Sequence, residues 1–472
     1  MKTVTPSWVA AAFSALGTPP RLIAPPWMLL TLFSAAATIA ICYPAWPGYM
    51  SYDSLFAYEQ GLFGIQTSLW PPVHAYMFRI SHAVGADTWG VFLVQTFILL
   101  FGSGLFLHVI AASRRTAWIL CAGFLVAQAY FPTLWGTLFA HWRDVPTVSF
   151  AALGLGLWAA AAQRRSGWLL ATAVVSFCLS LSLRYNGFPL IIFVLAMMLW
   201  RPFLGVHRDA ESAIRRRLAV GMVVGVLVAW ASTQWRLPDL ARLPKPHSWA
   251  GTQVFDVVGI SACADHNYLP PKLTAGRAIT PAQIRKAYDP RHMNITLAPK
   301  PGVPEFVRAP ARAAVRETWR RLMVEETGCY LAHRTLVFQE QMGLMREGVF
   351  YPIHSGIDAN PFGLELRHPA LARAVTTYIA RNADDLWRRP FLLYVAAAML
   401  TLALLWARRP EALIAVAMLL GSASYLFVLF IAAPAADARY IFPPNIFCLL
   451  ISLMAVGALV DQRVKGLSRD DG

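Results

Sequence analysis

Long apolar runs recur along the chain, at residues 27–43, 89–111, 116–132, 145–162, 167–183, 187–200, 218–235, 391–407, 411–433 and 441–460. Each approaches the ~20 residues that carry an α-helix through a hydrocarbon core of about 30 Å. A backbone in lipid must satisfy its own hydrogen bonds, so repeated runs of this kind leave a bundle of spanning helices as the fold. An all-α polytopic membrane protein of about ten spans is expected. The low charged fraction, 14% against 57% hydrophobic, argues the same way, because a soluble chain of this length carries far more charge. Residues 1–26 hold Lys2, Arg21 and several prolines, with no small-residue cleavage site, so the first span is expected to stay.

Sidedness follows from the basic residues, since short loops rich in Lys and Arg stay in the cytoplasm. Lys2 and Arg21, Arg114 and Arg115, Arg164 and Arg165, Arg201 with Arg208 and Arg215 to Arg217, Arg408 and Arg409, and Arg463, Lys465 and Arg469 all fall on one side. Both termini are therefore expected to be cytoplasmic. The opposite short loops carry single arginines, Arg79, Arg143, Arg184 and Arg439, which topology does not require. The net charge of +16 lies largely in the cytoplasmic loops, where insertion and anionic lipid account for it without nucleic acid.

Three regions follow. Residues 1–235 form an N-terminal module of seven spans, including a large first outer loop, 44–88. Residues 236–389, rich in Pro, Arg, His and Asp, form a mainly helical domain on the outer, periplasmic face. Residues 390–472 supply three more spans and a cytoplasmic tail. Within the outer domain, Arg308 to Gly348 reads as helix from its apolar spacing at Val315, Trp319, Leu322 and Met323, while the prolines before it indicate loop. Asp53 to Phe63 reads as a short helix lying in the membrane interface. Cys263 and Cys329 are the two cysteines of the outer domain; they could form a disulfide in an oxidising compartment, and their separation alone leaves that open. No CxxC or His/Cys cluster points to a metal.

The chemistry-bearing residues gather in the outer loops. Asp53 stands in Trp46-Pro47-Gly48-Tyr49-Met50-Ser51-Tyr52-Asp53-Ser54, and Trp70-Pro71-Pro72-Val73-His74 follows it. His141-Trp142-Arg143-Asp144-Val145-Pro146 precedes the fourth span. Leu183-Arg184-Tyr185-Asn186-Gly187 makes a tight turn, and Asp437-Ala438-Arg439-Tyr440 precedes the last span. Carboxylates and arginines at one membrane level suit transfer of a sugar from a polyprenyl phosphate. Arginines hold the phosphate and stabilise the charge it gains on leaving. A carboxylate deprotonates the acceptor hydroxyl. No nucleotide site is needed, and the chain has no Walker loop, GxGxxG or DxD sequence.

The order of these elements resembles the membrane-embedded GT-C glycosyltransferases that use polyprenyl-phosphate sugars, a class that includes the protein mannosyltransferases and the lipid A aminoarabinose transferase. The features that match are an acid soon after the first span (Asp53), a basic-acidic pair ahead of the fourth (Arg143-Asp144), an Arg-x-Asn-Gly turn (Arg184, Asn186, Gly187), and Asp-x-Arg-Tyr before the last span. Cys329-Tyr330-Leu331-Ala332-His333-Arg334 is similar to a Tyr-Leu-x-His-Arg stretch of bacterial relatives. Ser54 departs from the second acid that many members carry there.

The resemblance implies an inverting, one-step displacement in the bacterial inner membrane, with the active site facing the periplasm. It implies Asp53 and Asp144 as catalytic carboxylates, and Arg184, Arg439 and Arg143 as donor-phosphate ligands. Tyr52, His74, Asn186, His333, Arg334, Asp437 and Tyr440 are implied as substrate contacts. No cofactor is required, and a divalent ion is left open. The expected partners are a polyprenyl-phosphate-linked sugar (undecaprenyl phosphate in bacteria), a glycan, lipid or protein acceptor, and membrane lipid, with the protein acting as a monomer.

Each residue also has a structural alternative. Asp53 suits the N-terminus of the interfacial helix, Arg143 and Asp144 could pair with each other, and so could Asp437 and Arg439. Arg184 could satisfy carbonyls at its turn. His74 could simply lie in the interface, and His333-Arg334 on a helix surface. The competing function is a transporter or flippase of a lipid-linked precursor, which calls for repeated halves and charges near mid-membrane. Spans one to seven do not resemble eight to ten, and the marked charges sit at the rim.

Overall fold

The computed structural model describes residues 26–64, 71–164, 166–184, 186–198, 221, 224–225, 248–274, 278–291, 312–346 and 348–470. Its helices are α1 (Trp27–Cys42), α2 (Tyr52–Phe63), α3 (Val73–Ala83), α4 (Asp87–Ile110), α5 (Arg114–Tyr130), α6 (Pro132–Leu138), α7 (Asp144–Arg164), α8 (Gly167–Leu183) and α9 (Phe188–Met198). After these come α10 (Ser248–Cys263), α11 (Pro281–Ala287), α12 (Arg312–Glu325), α13 (Thr327–Met342), α14 (Pro369–Asn382), α15 (Phe391–Trp406), α16 (Glu411–Ala432) and α17 (Phe442–Asp470). Among the described residues, extended backbone pairs only as isolated bridges, so the protein is all-α.

Among the described residues, five helical stretches are long and apolar enough to cross a membrane: Trp27–Ala45, Asp87–Ile110, Asp144–Arg164, Glu411–Ala432 and Ala438–Val460. Three more apolar helices, α8, α9 and α15, are shorter. The expected span at 218–235 lies almost wholly outside the described residues. The one expected at 116–132 differs in kind, because α5 stops at Tyr130 and α6 leaves it at 92°. Pro132 is the cause. Its ring drives Phe131 out of the helical region, to φ −92° and ψ 97°, while its own missing N–H costs nothing at the start of α6.

Glycines let the bundle close. A side chain at Gly102 of α4 would strike the backbone of Leu153 in α7, and one at Gly156 would strike the Gly102 carbonyl, so these two helices meet backbone to backbone. Gly421 of α16 likewise lies against the Leu190 carbonyl of α9. Ser180 of α8 donates to the Thr147 carbonyl of α7 at 2.7 Å, which ties the ends of those helices together.

The segment between α9 and α15 has an apolar core of its own, formed by Val254, Val257, Val258, Leu273, Ile284 and Leu322. The single helix expected over 308–348 is divided at Glu326, whose φ of −119° and ψ of 39° are not helical. Thr327 Oγ1 donates back to the Met323 and Val324 carbonyls, which the break would otherwise leave unsatisfied. Helices α10 and α14 have no counterpart in the sequence reading. Cys263 at the end of α10 is disulfide-bonded to Cys329 in α13, which closes the question the sequence left open.

Candidate functional site

Asp53 is seated by three extended stretches lying side by side. Tyr49 N–H donates to the Phe139 carbonyl at 2.8 Å and His141 N–H donates to the Tyr49 carbonyl at 3.0 Å. On the other edge, Met50 N–H donates to the Gly356 carbonyl at 3.0 Å and Asp358 N–H to the Met50 carbonyl at 2.9 Å. Gly48 permits this arrangement: its φ is +108°, and a Cβ there would enter the His141 ring. The chain then turns into α2. Ser51 stands at the N-cap without capping, because its hydroxyl accepts from Trp142 Nε1 at 2.9 Å. Ser54 donates to the His141 carbonyl at 3.0 Å. The first turn of α2 is thereby pinned, and Asp53 projects from it.

The Asp53 carboxylate does not cap its helix either. It pairs with Arg439 Nη1 at 2.8 Å, while Arg439 Nε reaches Asp437 at 3.2 Å and Nη2 donates to the Tyr440 hydroxyl at 3.3 Å. The guanidinium lies over Trp142 at 4.9 Å and over Tyr440 at 5.0 Å, an aromatic clamp that fixes its plane. Asp437 and Arg439 therefore do pair, as the structural alternative foresaw, but within a network that also takes in Asp53.

A second arm meets the first at Tyr440. Asp144, the first residue of α7, pairs with Arg184 at the end of α8, and not with its neighbour Arg143. Arg184 Nε donates to Asn186 Oδ1 at 2.9 Å, so Asn186 orients the arginine. The Arg184 guanidinium lies over the Tyr440 ring at 5.3 Å. Arg143, Arg184 and Arg439 all act electrostatically on Asp53. With Asp144 and Asp437 the site holds three carboxylates against three guanidiniums.

Burial alone would raise the Asp53 carboxyl, but Arg439, Arg143 and Arg184 together outweigh it and hold the group below its ordinary value. Asp53 is thus an ionised, weakly basic carboxylate at neutral pH. Its side chain keeps 29% of its surface, against 5% for Asp144.

The other expected contacts divide. His74 of α3 is buried at the edge of the site, and neither ring nitrogen has a hydrogen-bond partner among the described residues. Burial, then the charge of Arg143 and the neighbouring His141, hold its imidazole well below the usual value, so it is neutral. Tyr52 points away: it is 71% exposed and stacks on Phe56.

His333 and Arg334, expected as substrate contacts or surface residues, are instead fully buried partners of Asp256, at 3.2 and 2.6 Å. His333 Nδ1 meets the Tyr288 hydroxyl at 2.7 Å, and Arg334 donates to the Ala433 carbonyl at 2.7 Å. Gly259 makes room for the His333 ring. This cluster fastens α13 to α10 and to the end of α16, and it leaves no surface for a substrate.

Two residue groups of the site escaped the sequence reading. Trp142 stood within a quoted motif, but nothing in the motif marks it as the platform under Arg439. Tyr351 and His354 pack against the same indole at 5.9 and 6.3 Å from a segment some two hundred residues away, and no local pattern announces that. Among the described residues no group of three His, Cys, Asp or Glu stands ready for a metal ion.

No family model matches the sequence, and no curated protein matches it. Among solved structures, the chain is similar to ArnT from Cupriavidus metallidurans, a crystal structure bound to undecaprenyl phosphate. The likeness covers 92% of this chain and 77% of that one, at 13% sequence identity and a TM-score of 0.31.

Proposed function

We propose that this protein is an inverting glycosyltransferase that moves a sugar from a polyprenyl-phosphate donor to an acceptor hydroxyl at the outer face of the membrane. The observation that carries the reading is the partly open Asp53 carboxylate paired with Arg439, with Arg143 and Arg184 acting on it from two other turns. These residues lie where α2, α7, α8 and α17 end or begin, at the rim of an apolar bundle. A lipid tail placed among the helices would bring its phosphate to that level.

In this reading Asp53 takes the acceptor proton while the acceptor oxygen bonds the anomeric carbon and the phosphate departs with the electron pair. Arg439 binds the leaving phosphate by releasing a carboxylate contact, and Arg184, still held by Asp144, adds its charge to it. Asp53 is favoured over Asp144 as base because Asp144 is the more deeply enclosed and is committed to Arg184. Asp144 and Asn186 then position Arg184, and His74 and Tyr440 line the donor side. Residues 236–389 are assigned to acceptor choice. The reading calls for no cofactor and for a monomer, with both termini cytoplasmic by the distribution of Lys and Arg.

The test is incubation of purified protein with a panel of polyprenyl-phosphate sugars, with and without divalent ion, following donor consumption in wild type and in Asp53→Asn. Consumption of one donor by wild type and its loss in the variant is the expected result. Failure of wild type to bind or consume any donor would remove the proposal. Movement of an intact donor across vesicles would replace it with lipid transport.

A further inference from the structure

Arg439 reaches Asp53 from a stretch with almost no side chain of its own. From the end of α16 the chain runs Ala432-Ala433-Pro434-Ala435-Ala436-Asp437-Ala438, in which only Pro434 and Asp437 carry more than a methyl group. Pro434 forces Ala433 into extended backbone, at φ −63° and ψ 129°, and α16 stops there. Its last carbonyls are left without helical partners. Such a stretch has little with which to fix its own position, so hydrogen bonds from elsewhere must place it.

The segment between α9 and α15 supplies them. The Tyr330 hydroxyl donates to the Ile431 carbonyl at 3.2 Å, and Arg334 Nη1 donates to the Ala433 carbonyl at 2.7 Å. These two buried residues stand four apart on α13 and so share one face. The guanidinium also suits the negative end of α16. Beyond the helix end, Ala436 N–H donates to the Arg291 carbonyl at 2.8 Å and Ala438 N–H to the Phe350 carbonyl at 3.3 Å. The Arg291 guanidinium in turn lies over the Phe350 ring at 5.8 Å, which joins those two anchors.

The connection is continuous from the core of the outer segment to the Asp53 carboxylate. Trp319 Nε1 of α12 donates to Asp256 of α10 at 2.6 Å, and Asp256 pairs with Arg334 at 2.6 Å. Arg334 holds Ala433, the backbone from there to Ala438 is held again at Ala436 and Ala438, and Arg439 pairs with Asp53 at 2.8 Å. Fastening the outer segment to the bundle would require only the bonds at the end of α16. The further bonds run on to the residue immediately before Arg439.

We propose that Tyr330 and Arg334 are positioning residues for the transfer: through the backbone of residues 431–438 they set where the Arg439 guanidinium stands against Asp53 and the leaving phosphate. The inference rests on the glycosyl-transfer reading above. Neither residue touches the reacting groups. Their effect is to hold Arg439 ready before the donor arrives, so that its charge acts on the phosphate without a search for the right geometry.

The test measures kcat/KM for the donor that wild type consumes, and the Kd of undecaprenyl phosphate, in Tyr330→Phe and Arg334→Met. Each is made alone and in an Arg439→Lys background, with thermal unfolding as the control for folding. We expect kcat/KM to fall about 2–10-fold in Tyr330→Phe, the worth of one hydrogen bond, and about 10–100-fold in Arg334→Met, where the donor is charged. In the Arg439→Lys background Tyr330→Phe should change kcat/KM less than 2-fold, because no guanidinium is left to position. Tyr330→Phe removes only a hydroxyl, so it decides the matter should Arg334→Met fold poorly. If Arg439→Lys abolishes turnover, the Kd values carry the same comparison. Wild-type kcat/KM in Tyr330→Phe, or the same fold-loss with and without Arg439, would overturn the positioning role and leave glycosyl transfer standing. Absence of both turnover and undecaprenyl phosphate binding in wild type would overturn both.

Discussion

Asp53→Asn should bind donor phosphate more tightly while losing turnover, a pairing of effects that few structural roles could produce. Arg439 holds Asp53 through Nη1, Asp437 through Nε and Tyr440 through Nη2, so an incoming phosphate must displace one of them. It must also tolerate the Asp53 charge. For a phosphate about 8 Å from that carboxylate, at an effective dielectric constant of about 20, the repulsion is about 2 kcal/mol. Solvent reaching the partly open Asp53 side chain trims this toward about 1 kcal/mol.

Neutralising Asp53 removes the repulsion and frees Nη1, so affinity for a polyprenyl phosphate should rise about 5–30-fold. Turnover should drop about 10²–10⁴-fold with the loss of the base. Equilibrium binding of polyprenyl phosphate in detergent, beside single-turnover donor consumption, measures both. A well-folded Asp53→Asn protein that binds phosphate no better, or that keeps wild-type turnover, would refute the reasoning.

The remaining predictions concern stability. Arg334→Met takes the guanidinium from the fully buried Asp256, which is left with His333 and Trp319, and should cost about 3–5 kcal/mol, with Asp256→Asn added on top recovering part of it; tryptophan-monitored unfolding in detergent would expose the error if the double variant is no better than the single. Replacing Cys263 and Cys329 by serine opens a closure of 66 residues and should lower stability by about 4 kcal/mol in the chain-entropy account, and an unfolding temperature that ignores both the substitution and added reductant would contradict it. The Asp53 carboxyl is lowered in the folded state, so its contribution is full above the unfolded value of 3.8 and is lost as pH falls through the folded value. The stability gap between wild type and Asp53→Asn should therefore be flat from pH 7 to about 5 and close below about pH 4; a gap that closes between pH 6 and 8 would point to another group.

The sequence by itself determined the all-α membrane class, because apolar runs of spanning length leave a lipid-exposed backbone no alternative to helices. It also singled out most of the charged cluster that the structure brings together around Arg439. Asp53, Arg143, Asp144, Arg184, Asn186, Asp437, Arg439 and Tyr440 are charged or polar residues close to the ends of apolar runs, and such residues are conspicuous there whatever they touch. Pairing was not legible. Arg143 and Asp144 are adjacent in sequence, yet Asp144 turns to Arg184, because successive residues at the start of a helix point in different directions and the end of α8 lies beside the start of α7.

His333 and Arg334 mislead a sequence reading for the opposite reason. A polar pair on a helix looks exposed until Asp256, 77 residues earlier, is brought against it inside a second core. The tertiary structure alone decided that Arg439 lies between Trp142 and Tyr440, and that residues 351–358 close over the seat of Asp53. Those contacts join segments hundreds of residues apart, and side-chain partners at that range are set by how helices pack and where loops cross, which no local spacing encodes.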